Sequence, residues 1–271
     1  MARIVLPESR IRARRKRRIT RAAVAWATLL LMILTAVIGV AWVPQMRFSV
    51  IDVVGTQTVD VSIIRAATLK ELSGRYWGIF PKDNVFLYPK EQVGDALLTQ
   101  FSPIKTVSVD FENFHTLRIK IEERTPRALW CGEDTTASIP CTLLDQSGVA
   151  YTQAPDFMGG VYVQYYGSLA TTTPPQYLVP GQFPTLAALV DVLQQKVGTD
   201  RVAQVYVDEN ADVHAMLLSS STLLFSLDQD GGAVVNNFSL ALESDVFVGH
   251  PLSDFEYVDL RFGDKLYYKL K

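Results

Sequence analysis

The chain has 271 residues, 48% hydrophobic and 20% charged, enough for one or two modest domains that each bury a core. Its formal net charge of −2 hides a segregation: residues 1–21 carry nine Lys/Arg against Glu8 alone, while the remaining 250 residues carry 17 basic and 27 acidic side chains. A basic arm joined to an acidic body follows, and a chain that is basic throughout is excluded.

The basic run "RARRKRR" has the composition of a nucleic-acid arm, since clustered cations displace counterions from phosphate. The next segment argues otherwise. Ala22–Val43 holds 22 residues without a charge, and about 20 apolar residues cross a bilayer. Trp26 and Trp42 stand near its two ends, where indole rings favour the headgroup region. Arginines directly before such a span are retained on the cytoplasmic side. We therefore expect a cytoplasmic tail over 1–21, a transmembrane helix over 22–43, the rest of the chain outside, and no nucleic-acid partner. The competing reading is a cleaved signal peptide with Gly39–Ala41 as its small-residue site, although the apolar run exceeds the usual h-region of about 7–15 residues. Ala36 and Gly39 are small residues that suit helix packing within a membrane.

Phe48–Gly55, rich in β-branched residues and closed by a glycine, predicts a strand. Thr58–Leu72 predicts a helix, with Val61, Ile64 and Ala67 at helical spacing and Asp60 near its start. Ser73–Tyr88 follows as a long loop broken by Gly74, Gly78 and Pro81. Its aromatics Tyr76, Trp77, Phe80, Phe86 and Tyr88 either pack over the helices or form a docking surface. Pro89 opens a second helix, in which Val93, Ala96, Leu97 and Phe101 share a face. Val107, Val109 and Phe111 then alternate with Ser108, Asp110 and Glu112, and Leu117, Ile119 and Ile121 with Arg118, Lys120 and Glu122. These are two half-buried strands joined at Asn113–His115. The order is β-α-α-β-β, with two helices to cover one face of three strands.

Beyond Pro126 the pattern becomes β-rich. Strands are expected at 127–132 and 141–152, turning at Gln146–Gly148, with an irregular stretch over Asp156–Pro184. An amphipathic helix over 183–197 follows, then three short strands over 202–227, a helix near 232–242, and a terminal hairpin turning at Gly263–Asp264. Cys131 and Cys141 stand ten residues apart. In an oxidising compartment they pair across a hairpin; otherwise they are two buried thiols.

Chemistry-bearing motifs are weak. Ser102–Lys105 has the S-x-x-K form of penicillin-recognising serine enzymes but precedes a strand and lacks partner motifs. Asp228–Gly232 resembles the front of a calcium loop without its closing glutamate. His115, His214 and His250 are scattered, so neither a metal site nor a cofactor is expected. The adjacent carboxylates Glu122 and Glu123 point to opposite faces of their strand and cannot share a proton.

Taken in order, these segments resemble the FtsQ/DivIB family of bacterial cell-division proteins. The resemblance rests on Ile51, Val53 and Gly55 in an opening POTRA strand, and on Glu123, Arg124, Pro126, Ala128 and Trp130 at a domain junction. The turn "LLDQSGVAY" and the closing "YVDLRFGDKLYYKL" complete it. It implies an α+β architecture with a POTRA domain over 47–124 and a β domain with flanking helices over 125–271. It also implies a non-enzymatic division protein of the cytoplasmic membrane and septum. Its partners are the bitopic FtsB and FtsL proteins and, through them, the septal peptidoglycan synthase complex. Partner contact by strand addition falls on Phe262, Leu266, Tyr267, Tyr268 and Lys269, where "KLYYKLK" alternates at a sheet edge. Glu123, Arg124, Pro126 and Trp130 form an interdomain hinge, because proline donates no ladder hydrogen bond and holds Thr125 extended. Glu123 and Arg124 are the expected polar clamp of that hinge. A POTRA-bearing transport or assembly factor is the alternative, and a membrane-anchored cell-wall enzyme a third.

Overall fold

The computed structural model describes residues 8–136, 139–156 and 160–271; Arg3 in the basic tail lies outside them. The chain divides between Glu123 and Arg124 into two compact units.

The first unit begins with α1 (Glu8–Ala41). It is longer than the 22–43 span expected, because the Lys/Arg run ahead of the apolar stretch consists of strong helix formers and continues the same helix. It also stops earlier, since a 3-10 turn at Pro44–Met46 follows. From Arg15 to Ala41 the helix is long and apolar enough to cross a membrane, and its most apolar window has no buried residue. An apolar surface on all sides suits lipid rather than water. Its hydroxyls are satisfied within the helix: Thr28 Oγ1 donates to the Ala25 carbonyl (2.9 Å) and Thr35 Oγ1 to the Leu31 carbonyl (3.0 Å).

The remainder of this unit is α+β. In chain order it contains β1 (Val50–Val54), α2 (Val61–Leu72), the short hairpin β2 (Arg75–Tyr76) and β3 (Phe80–Pro81), α3 (Lys90–Gln100), β4 (Ile104–Asn113) and β5 (Thr116–Glu123). Asp60 caps α2, its carboxylate accepting from the Ser62 N–H at 2.7 Å. The three-stranded sheet runs β1-β5-β4, with β1 parallel to β5 and β4 antiparallel to it. Ile64, Val93 and Leu97 of the helices meet Ile51, Val109, Leu117, Ile119 and Ile121 of the sheet in one core. Phe111, on the apolar face by alternation, is 54% exposed, in contrast to Val109 two residues earlier on that face. Gly55 closes β1 at φ +92°, and a Cβ there would stand 2.1 Å from the Ile121 carbonyl oxygen, so only glycine fits.

The second unit is a nine-stranded mixed sheet. Its strands are β6 (Ala128–Trp130), β7 (Thr142–Leu144), β8 (Ala150–Gln153), β9 (Gln164–Tyr166), β12 (Val202–Val207), β13 (Asp212–Leu217), β14 (Thr222–Ser226), β15 (Phe255–Phe262) and β16 (Lys265–Leu270). Across the sheet the order is β16-β15-β14-β13-β12-β9-β6-β7-β8. A separate small hairpin pairs β10 (Leu169–Ala170) with β11 (Gln176–Tyr177). The helices α4 (Gln182–Val197), α5 (Gly231–Leu242) and α6 (Asp245–Gly249) contribute Phe183, Leu186, Val190, Val234, Phe238 and Phe247 to the main core.

One expectation is overturned in this unit. The 156–184 stretch, read as irregular, contains β9, a central strand that runs parallel to both β6 and β12. Its side chains divide between two cores, Tyr165 toward α4 and Tyr166 toward the opposite face with Leu129, Cys131 and Leu143.

Candidate functional site

The free edge of the nine-stranded sheet is the most distinctive surface of the second unit. β16 pairs with β15 on one side, and among the described residues no strand lies on its other side. An edge strand presents unpaired N–H and C=O groups from about half its residues. The hairpin turns at Gly263, whose φ of +64° favours glycine. Asn237 on α5 holds that turn, its Nδ2 donating to the Gly263 carbonyl at 2.6 Å, and Gln229 Nε2 donates to the Leu260 carbonyl at 3.0 Å. Ser221 Oγ reaches the Phe255 carbonyl (2.6 Å) and Lys271 Nζ the Ser219 carbonyl (2.8 Å), so both ends of the hairpin are tied down.

Alternation sorts the hairpin's side chains. On the core side, Leu266 packs against the main core and Tyr268 meets Phe255 and Phe247 edge-on, at ring separations of 5.6 and 6.0 Å. On the open side, Tyr267 stands edge-on to Phe262 at 5.1 Å, and both are more than half exposed. Tyr268 and Leu270 are also exposed, at 43% and 41%. The edge thus offers apolar and aromatic side chains on both faces. Lys269 is engaged by Glu256 across the pair, Nζ to Oε2 at 2.6 Å, and this hydrogen bond raises the lysine pKa.

Beneath the open side lies a polar brace. Arg261 Nε and Nη2 donate to the two Asp259 carboxylate oxygens at 2.9 and 2.6 Å, while Nη1 reaches Asp212 on β13 at 2.5 Å. One guanidinium therefore spans from β15 across β14 to β13. Burial would raise the Asp259 pKa, but the Arg261 hydrogen bonds outweigh it and hold the carboxyl below its usual range. The role of these residues was not assigned from sequence. The available signal was their spacing, since positions two apart on a strand share a face.

The expected junction residues divide between the two units. Glu123, the last residue of β5, accepts from the backbone N–H groups of Gln57 (2.9 Å), Thr58 (2.9 Å) and Val59 (3.1 Å), and from the Thr58 hydroxyl (2.5 Å). Burial raises its pKa, yet these donors together lower it. Arg124 instead turns into the second unit, where Nη1 donates to Asp145 at 2.5 Å with both side chains largely buried. Asp145 accepts on its other oxygen from Ser147 N–H (2.8 Å), Ser147 Oγ (2.7 Å) and Val149 N–H (3.0 Å). Burial pushes its pKa up, and these bonds with Arg124 bring it down on balance. Trp130 lies in β6, Nε1 donating to the Gly167 carbonyl at 2.9 Å. Cys131 and Cys141 are joined in a disulfide.

Other chemistry is sparse. A cavity of about 440 Å³ in the second unit is lined by Arg127, Tyr162, Gln164, Asp191, Gln194 and Arg201 among others; among the described residues its lining has one carboxylate and no Ser, His or Cys. Arg127 pairs with Asp191, and Arg201 donates to the Gly160 carbonyl at 2.7 Å. Asp230, which resembled a calcium-loop position, instead caps α5. Among the described residues, no three His, Cys, Asp or Glu converge to hold a metal ion.

Comparison of the sequence with known protein families finds no matching family, and comparison with curated proteins finds no match.

Proposed function

We propose that this chain is a single-span scaffold protein of the bacterial division machinery, of the FtsQ/DivIB type, which recruits a partner by strand addition along β16. The observation that carries the reading is the terminal edge strand itself. It has one neighbour among the described residues, exposed aromatics on both faces, and a rigid brace beneath it. Strand addition uses such an edge: main-chain hydrogen bonds give affinity, and alternate side chains select the sequence. Phe262 and Tyr267 supply the open-face contact, Tyr268 and Leu266 the core-side contact, and Lys269 a charged rim. The partner is a short bitopic protein of the FtsB or FtsL type, through which the chain influences septal peptidoglycan synthesis.

Several features support the reading. The order of elements between Val50 and Glu123 fits a POTRA-like domain nearest the membrane, with the β2–β3 hairpin as an insertion between its helices. The basic residues ahead of the span favour a cytoplasmic amino terminus. The role is binding, without catalysis.

A fluorescent fusion to the full chain in its native cells tests the proposal. A ring at midcell during constriction is expected; uniform membrane fluorescence through the cell cycle contradicts it.

A further inference from the structure

The loop between α2 and α3 sends Tyr88 against the core shared by those helices. It lies against the end of α1. The Trp42 indole donates to the Ile79 carbonyl (2.9 Å), and Asn84 Nδ2, buried, donates to the Ala41 carbonyl (3.1 Å). Backbone bonds join Phe48 N–H to Asp83 and Val85 N–H to Met46, both at 2.9 Å. Arg47 grips Asp83 through two nitrogens, and the Arg75 guanidinium lies 4.6 Å from the Trp42 ring centre. The connection between helix and loop is therefore built from several independent contacts within one compact unit.

What this loop presents is apolar. Trp77 is 89% exposed and Phe86 69%, with Ile79 and Leu87 also exposed. An apolar hollow of about 600 Å³ is lined by Val37, Val40 and Ala41 from α1 and by Tyr76, Trp77, Phe80, Phe86 and Leu87 from the loop. In water this grouping is unfavourable, and its position states what covers it. The uncharged stretch starts at Ala22, and about 20 residues at 1.5 Å each fill a 30 Å hydrocarbon layer, so the layer ends near Ala41. Val37 then sits about 6 Å inside that boundary. Loop side chains that line the same hollow as Val37 and Val40 share their depth.

We infer that the tip of this loop is an interfacial membrane anchor: Trp77, Ile79, Phe86 and Leu87 insert beside the end of α1 at the boundary between phospholipid headgroups and acyl chains. The inference rests on reading α1 as a membrane span. Interfacial segments insert apolar side chains about 5–10 Å into this boundary, the depth that the helix count assigns to the loop. Tryptophan is suited to it, with a large apolar ring and one polar N–H. Arg75 and Lys82 flank Trp77 and Ile79 in sequence and supply cations for headgroup phosphates. Because those contacts join the loop to the end of α1, a second point of immersion fixes the tilt of both together.

The full chain reconstituted in phosphatidylcholine–phosphatidylglycerol vesicles, at high lipid dilution, tests this. The fluorescence difference between the wild type and Trp77→Phe isolates the indole at 77. Lipids brominated near the top of the acyl chain should quench that difference about twofold, and aqueous iodide should leave it unchanged. A second variant, Phe86→Trp on the Trp77→Phe background, should behave alike and guards against a local effect at 77. Quenching by iodide without quenching by bromolipid overturns the inference. So does protection from both quenchers, which would mean that protein covers the loop. Alkaline carbonate extraction reports separately on α1. If the chain stays with the vesicles while the indole at 77 is exposed to water, the anchor fails and the span stands; if the chain is extracted, both fail.

Discussion

Arg261 holds Asp259, two positions before it on β15, in a bidentate ion pair at 2.9 and 2.6 Å, and the same guanidinium extends to Asp212 on β13. Asp259 is only 5% exposed, so the pair fixes the strand that backs the proposed binding edge.

Removing one partner of such a pair strands the other charge. Arg261→Met should lower stability by about 2–3 kcal/mol, read as a shift in the urea midpoint. Arg261→Lys should recover only part of this, because an ammonium cannot make the two-pronged contact. Full recovery by lysine would show that net charge, rather than geometry, is what matters.

Asp145 makes the stability of the second unit acid-sensitive. Its folded pKa lies below the ordinary value of about 4, so its contribution is complete above that pH and disappears as the pH falls through the lower folded value. Asp259 acts with the same sign. The urea midpoint should be nearly flat from about pH 5 to 8 and decline below about pH 4. Asp145→Asn should cost about 2 kcal/mol at neutral pH, and the gap to wild type should narrow on acidification. A constant gap down to pH 3 would contradict the assignment.

Gly55→Ala meets two obstacles together, a φ of +92° and a carbonyl oxygen 2.1 Å from the new Cβ. A loss of about 3 kcal/mol in the first unit is expected from thermal melts of the full chain. A neutral substitution would mean that the β1–β5 register can shift.

The disulfide closes a short loop, Cys131 and Cys141 being ten positions apart. Chain-entropy arguments give about 2–3 kcal/mol for a loop of this length. Dithiothreitol on the wild type and the double Cys→Ala variant should lower the urea midpoint alike. Stability unchanged by either treatment would mean that the bond adds nothing to the fold.

Much of this fold could be read from periodicity. The alternation through Thr106–Glu123 marks two strands because one face meets helices and the other meets water. The Gly263–Asp264 turn marks the last hairpin, since a glycine is wanted where φ is positive. β9 stayed hidden for a physical reason. It has three residues, parallel neighbours on both sides and tyrosines buried on both faces, so no alternation of polarity appears. The directions taken by Glu123 and Arg124 were equally out of reach. Their partners, Thr58 and Asp145, lie 65 and 21 positions away. At the edge itself, sequence spacing indicated which residues share a face, while the Arg261 brace and the Glu256 partner of Lys269 required coordinates.

The most direct test of the central claim is co-purification of an FtsB-type bitopic partner with the full chain. Three forms are compared: wild type, Phe262→Ala/Tyr267→Ala, and a variant with proline replacing Tyr267. Proline removes an N–H and disturbs the ladder, whereas the alanines remove only side chains. Partner recovery is expected to fall about tenfold for the double alanine variant, which corresponds to about 1.4 kcal/mol, and to be abolished by proline, with the disulfide and the melting profile retained. Undiminished recovery with both variants folded would show that the partner binds elsewhere and that β16 is not the docking edge.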